Sequence, residues 1–168
     1  MSSDVAHAYL AEAVDGLRAL KAQADAAIAQ LPDDDLGRRL DPDSNSIEVL
    51  VRHVAGNMRS RWTDFLTADG EKPDRDRDAE FEDAPALGRA ALLAEWEAGW
   101  RCCLDAVAAL GPDDLLRVVR IRGERVTALR AIERATRHYA AHVGQIVFLA
   151  KHLRGPAWRT LSIPRARA

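Results

Sequence analysis

Ile132, Ala135, Tyr139, His142, Ile146, Leu149 and Leu153 follow one another at intervals of three and four residues. A helix turns about 100° per residue, so this series draws one apolar stripe down a long helix, predicted from about Thr127 to Leu153. Such a helix is stable in water only when its stripe lies against other helices. The rest of the chain supplies them. Leu10, Val14, Leu17, Ala24 and Ile28 mark a first helix from about Ser3 to Gln30. Ile47, Leu50, Val51, Val54, Met58, Trp62 and Phe65 mark a second, which ends near Thr67. Ser44, Asn45 or Ser46 can cap it, with Glu48 in its first turn. Leu87, Ala91, Leu92, Trp96, Trp100, Leu104 and Val107 mark a third, from about Ala86 to Leu110.

The punctuation agrees with these limits. "LPDDDLGRRLDPDSNS" breaks the pattern after the first helix, Gly111-Pro112 stops the third and Gly155-Pro156 closes the last. Only "LLRVVRIRGERVTAL" has strand character, and Val118, Val119, Ile121 and Val126 around Arg122-Gly123 predict a short two-stranded ribbon. The fold class is therefore all-α, a four-helix bundle with a short β-ribbon before helix 4. A chain of 168 residues is the size of one such domain, spanning 1–168. The polar segment 68–85 between the second and third helices is long for so small a domain. A loop of that kind is functional, or it carries the chain to a helix that does not run back beside its predecessor. The tail "AWRTLSIPRARA" brings Trp158, Leu161 and Ile163 to dock on the bundle.

With 24 basic and 26 acidic residues and a net charge of -2, no overall positive field points to nucleic acid. No apolar run approaches the roughly 20 residues that cross a bilayer. The first residues lack the basic and apolar regions of a signal peptide, so a cytoplasmic location is expected. Cys102 and Cys103 are adjacent on a helix, cannot easily pair and read as small core or boundary residues of a reducing compartment.

"HYAAHVGQI" carries His138 and His142 one helical turn apart, about 40° around the helix from each other. His142 occupies a core position of the stripe. Two imidazoles so spaced can share one ion, and an ion is a partner that a dry core would not otherwise give them. A third ligand must come from elsewhere. His152 lies ten residues beyond His142, about 15 Å along the helix, and cannot reach the same ion. His7 falls at the outer end of the first stripe, as a boundary histidine. His53, two turns into the second helix, is better placed to point into a groove between helices, although its pattern alone also fits a half-buried boundary residue.

Other polar residues gather nearby. Asn57 is one turn after His53 and Gln145 one turn after His142; either can orient a ligand or a bound water. Arg59, Arg61 and Trp62 are candidates to contact an anion, and Arg61 falls close to the apolar stripe, where a solvated arginine would not sit unpaired. Trp96 and Trp100 read as core, and Arg125, Arg130, Arg134 and Arg137 as a solvated face. Glu48 and Glu133 fall off the apolar faces, so no carboxylate is seen beside the candidate ligands to act as general base. "EKPDRDRDAE" either covers the site or stays solvated.

"NSIEVLVRHVAGNMRSRWTDFLTADGEKPDRDRDAEFE", from Asn45 to Glu82, and "HYAAHVGQIVFLAKHL" with "WRTLSIPR" resemble the DinB-like, or YfiT-like, metal-dependent four-helix-bundle superfamily, in an uncharacterised bacterial branch. The likeness covers most of the chain and is weakest over the first and third helices. It implies up-down-down-up helix order, a homodimer and a metal held by His53, His138 and His142. Three imidazoles leave a divalent ion open positions, and zinc or nickel suits them. The superfamily's chemistry implies transfer of a low-molecular-weight thiol to an electrophile, or thiol-dependent isomerisation. The leading expectation is thus a metal-dependent S-transferase in detoxification or stress response. Asn57, Arg61 and Gln145 are its candidate catalytic residues. A non-catalytic metal-binding bundle is the alternative, and a metal-dependent hydrolase ranks below both.

Overall fold

The computed structural model describes residues 2–82 and 88–163. Four helices and one hairpin organise them: α1 (Ser3–Ile28), α2 (Ile47–Trp62), α3 (Arg89–Ala108), β1 (Val118–Ile121), β2 (Glu124–Thr127) and α4 (Ala128–Arg154). Capping follows local chemistry. The hydroxyls of Ser2, Ser46 and Thr127 accept from Val5, Val49 and Arg130 amides that have no partner inside their own helices. Of the three candidates for the second cap, Ser46 is the one used.

Contacts between helices fix their directions. Tyr9 meets Glu133, and Gln30 meets Arg159 just past α4, so α1 and α4 run the same way. Lys21 and Asp25 meet Glu97 and Trp96, while Ile28 and Leu31 meet Arg89, so α3 opposes α1. Ala55 lies against Gly99 and Thr63 against Cys102, so α2 runs with α3. The order is up-down-down-up, and the consecutive helices α2 and α3 run parallel. A Cβ at Gly99 would stand 2.8 Å from Ala55 Cα, so glycine there sets how closely α2 and α3 approach.

The core is built from the expected stripes. Leu17, Ile28, Ile47, Leu50, Met58, Leu92, Trp96, Trp100, Ile132 and Tyr139 are all fully buried. Several boundaries differ from expectation. α2 stops at Trp62, five residues before Thr67, because Thr63 turns extended and Asp64 takes a positive φ of 50°. Phe65 is still buried, its ring 4.6 Å from that of Trp62, so the apolar pattern outlasts the helix. Ala91 is exposed, and Gly99 and Cys103 complete the α3 stripe. The expected start of that helix at Ala86, and Leu87, lie outside the described residues. Trp158 and Leu161 dock as expected, but Ile163 is exposed. Cys102 is half-buried, Cys103 is buried and both are free.

The ribbon pairs Val118 with Thr127 and Ile121 with Glu124, burying Val119, Ile121 and Val126. Its turn, Arg122-Gly123, has φ of 53° and 75°, the tight hairpin geometry that glycine favours. This hairpin fastens the long connection. Asp69 accepts from the amides of Arg122 at 2.8 Å and Gly123 at 2.7 Å, and Gly70 donates to the Arg120 carbonyl. Burial opposes charge on Asp69, yet these amide bonds and that of Glu71 hold its carboxyl below the usual range. No helix among the described residues is long and apolar enough to cross a membrane.

Candidate metal centre

His53 projects from α2 and is 4% exposed; His138 and His142 project from α4 and are half-buried. The phase of α4 departs slightly from the expected one. Val143 takes the buried position beside Tyr139, and His142 stands one residue off the stripe, at the edge of the core. Both residues fit the three-and-four rhythm, so spacing alone could not choose between them; the imidazole takes the side that faces the other two histidines.

Three Nε2 atoms converge. His138 Nε2 lies 3.3 Å from His53 Nε2 and 3.0 Å from His142 Nε2. Among the described residues, these three are close enough to hold a metal ion. Nitrogens bound tetrahedrally at 2.0–2.1 Å stand about 3.3 Å from each other, which is the scale of the observed separations.

The outer nitrogens explain the convergence. His53 Nδ1–H donates to Glu80 Oε2 at 2.8 Å, and His142 Nδ1–H donates to Gln145 Oε1 at 2.8 Å. With the proton on Nδ1, each neutral ring aims a lone pair from Nε2 at His138 Nε2, which carries at most one proton of its own. Lone pairs facing one another at this distance need a cation or a proton between them. Protonation is opposed: burial and the charges of His142, His53 and the nearby arginines lower His138 to about 3. Burial lowers His142 too, more than its bond to Gln145 restores. Neutral imidazoles are the form that binds a metal.

Glu80 overturns the expectation that no carboxylate stands beside the ligands. It comes from the long connection, where no periodicity marks a buried residue; the length of that segment was the only signal. Arg75, five residues earlier, holds it through Nε–Oε1 at 2.8 Å and Nη2–Oε2 at 2.7 Å. Burial pushes the Glu80 carboxyl up, but the bonds from His53 and Arg75 outweigh it and hold the group below its ordinary value. An ionised carboxylate so engaged orients a ligand and is a poor general base. Gly56 makes the approach possible, since a Cβ there would collide with Glu80 Oε1. Phe81 covers His53 with ring centroids 4.6 Å apart, so this part of the connection covers the site.

The remaining candidates separate. Asn57 Oδ1 accepts from the Tyr139 hydroxyl at 3.1 Å, and that hydroxyl accepts from Trp62 Nε1 at 2.9 Å, so Asn57 is tied to the core while still lining a cavity beside the histidines. Arg61 is buried and lines the same cavity, its Nε donating to the Gly70 carbonyl at 3.3 Å. Arg59 is exposed and Trp62 belongs to the core. His7 and His152 are exposed, away from the cluster. Arg125, Arg130 and Arg137 are exposed as expected, while Arg134 also reaches the cavity. Glu133 accepts from Tyr9.

No curated protein matches the sequence. A family model does, over residues 4–167, and its description reads "Protein of unknown function (DUF1572)". That match spans nearly the whole chain, helices and long connection together, and the chain belongs to the DUF1572 family.

Proposed function

We propose that the protein is a metal-dependent enzyme of thiol S-transferase type, with zinc or nickel held by His53, His138 and His142. The observation that carries this reading is the set of three convergent Nε2 atoms, beside an open cavity that His53 and His138 line, with two of the rings fixed from behind by Glu80 and Gln145. DUF1572 is a DinB-like family, which supports it.

A divalent ion with only three protein ligands keeps open positions and supplies Lewis acidity that lowers the pKa of a thiol. The chain's own groups do the rest. Glu80 and Gln145 keep both outer imidazoles in the tautomer that presents Nε2. Arg75 keeps Glu80 in place, and Phe81 shields His53 from water. The thiolate sulfur forms a bond to the electrophilic carbon, and the leaving group departs with the electron pair of the bond it breaks. A small thiol and an electrophile are the partners this requires, and a homodimer belongs to the same reading.

The test loads the protein with zinc or nickel and offers several low-molecular-weight thiols with 1-chloro-2,4-dinitrobenzene. Conjugation faster than with His142→Ala is expected; equal rates for every thiol would sink the enzyme reading. One observation favours a non-catalytic alternative: α2 and α4 pack on each other less than the neighbouring pairs α2–α3 and α1–α4 do, and the three histidines join them. An ion there would staple the bundle. Strong thermal stabilisation by zinc without conjugation would support that role.

A further inference from the structure

The cavity beside the histidines has a volume of about 220 Å³, and His53 and His138 form part of its wall. Five arginines line it: Arg61, Arg75, Arg77, Arg122 and Arg134, and no acidic residue is among its lining. Four of the five have carboxylate partners, none of which lines the cavity. Arg75 pairs with Glu80 and Glu71, Arg122 with Glu71, Arg134 with Glu124 and Arg77 with Asp78. The last two pairs are largely exposed and neutralise little in water.

Arg61 is different. It is 6% exposed, and among the described residues no carboxylate lies within ion-pair distance of it. Among the described residues, its one side-chain hydrogen bond is the Nε contact to the Gly70 carbonyl. The surroundings are shaped to it: a Cβ at Gly70 would stand 2.8 Å from Arg61 Cδ and 2.9 Å from Nε. Gly70 is itself pinned to the ribbon through Arg120, and the adjacent Asp69 through Arg122 and Gly123. A buried guanidinium without a counter-charge is costly, and a planar guanidinium suits a bidentate oxyanion.

We propose that this cavity binds the carboxylate or phosphate of an anionic small-molecule thiol, with Arg61 as its buried anchor and Arg134 and Arg122 at its rim. The anion sits beside His53 and His138, so binding it brings the rest of the same molecule to the metal position. This deepens the S-transferase reading and rests on it for the thiol. The anion site itself stands on the arginines alone.

The experiment uses full-length protein loaded with cobalt, on which a bound thiolate gives a near-ultraviolet absorption band. Three thiols of similar size are titrated: 3-mercaptopropionate, neutral 2-mercaptoethanol and cationic cysteamine. Comparing wild type with Arg61→Met for each thiol cancels the thiol's own acidity. The expected result is a loss of about tenfold or more in affinity for 3-mercaptopropionate, with 2-mercaptoethanol changed less than about twofold. Arg134→Met, on the exposed rim, gives a smaller loss of the same sign and serves if Arg61→Met does not fold. Calorimetric titration of the zinc protein with inorganic phosphate, in wild type and variants, runs alongside. Equal losses for charged and neutral thiols overturn the anion site and leave the thiol reading intact. No thiolate band with any thiol, but phosphate binding that weakens in the variants, overturns the thiol reading and supports the anion site. Neither signal overturns both.

Discussion

His138 and Tyr139 are neighbours in sequence and belong to different regions of the molecule. Tyr139 faces inward against Trp100 and Trp62, in a core whose large side chains are wholly buried and whose helices close on Gly99. His138 faces His53, His142 and a cavity lined by arginines. The first region holds together by removing apolar surface from water. The second buries imidazoles, a carboxylate and a guanidinium whose charges and lone pairs need partners. The core is made mainly by helix faces, to which Phe65 and the ribbon's Val119, Ile121 and Val126 add, whereas the polar region is completed by a segment that is not helical. Stability and function therefore rest on separable parts of one bundle, and substitutions should divide accordingly.

The largest effect on folding is expected from Leu17→Ala, in α1 and fully buried. It should lower the unfolding free energy by about 2–5 kcal/mol in a urea titration while leaving zinc affinity unchanged. A parallel fall in zinc affinity would mean that the two regions are one cooperative unit. His142→Ala should do the reverse, weakening zinc more than about a hundredfold in a competition assay and altering the metal-free stability little. Glu80→Gln keeps the shape but removes the charge that fixes the His53 tautomer; a weakening of about 10–100-fold is expected, and an unchanged affinity would remove Glu80 from the site. Ser46→Ala, at the cap of α2, should cost about 1 kcal/mol of stability and spare metal binding.

The subtlest difference is one of pH. In metal-free protein the folded state resists a proton on His138 down to about pH 3, whereas the unfolded chain accepts one near 6.5. The unfolded state then binds more protons between those values, so stability should fall as pH is lowered from about 6.5 toward 3. His138→Gln should flatten that part of the profile. A slope unchanged by the substitution would assign the acid sensitivity to other groups.

The helices were legible because burial imposes a period that the residues display. Leu10, Val14 and Leu17, or Leu50, Val54 and Met58, name their own buried face. The His138–His142 pair was legible for the same reason, since spacing on one helix fixes relative direction. Glu80 was not. It acts through a hydrogen bond from a residue 27 positions earlier, inside a segment whose charges alternate without period. Arg134 stands one turn before His138 and shares its side of α4, and of Arg130, Arg134 and Arg137 it alone lines the cavity.

The sequence by itself determined four amphipathic helices, the hairpin turn at Arg122-Gly123 and two histidines facing one way, because each of these follows from interactions within a few residues. Only the tertiary structure decided that His53 meets that pair, that Arg75 and Glu80 fold back onto His53, and that Arg61 stays buried against Gly70 without a carboxylate. Those are contacts between segments far apart in the chain, and they depend on how closely α2 approaches its neighbours and on where the ribbon anchors the connection. Gly99, Gly56 and Gly70, by having no side chain, leave room for all three.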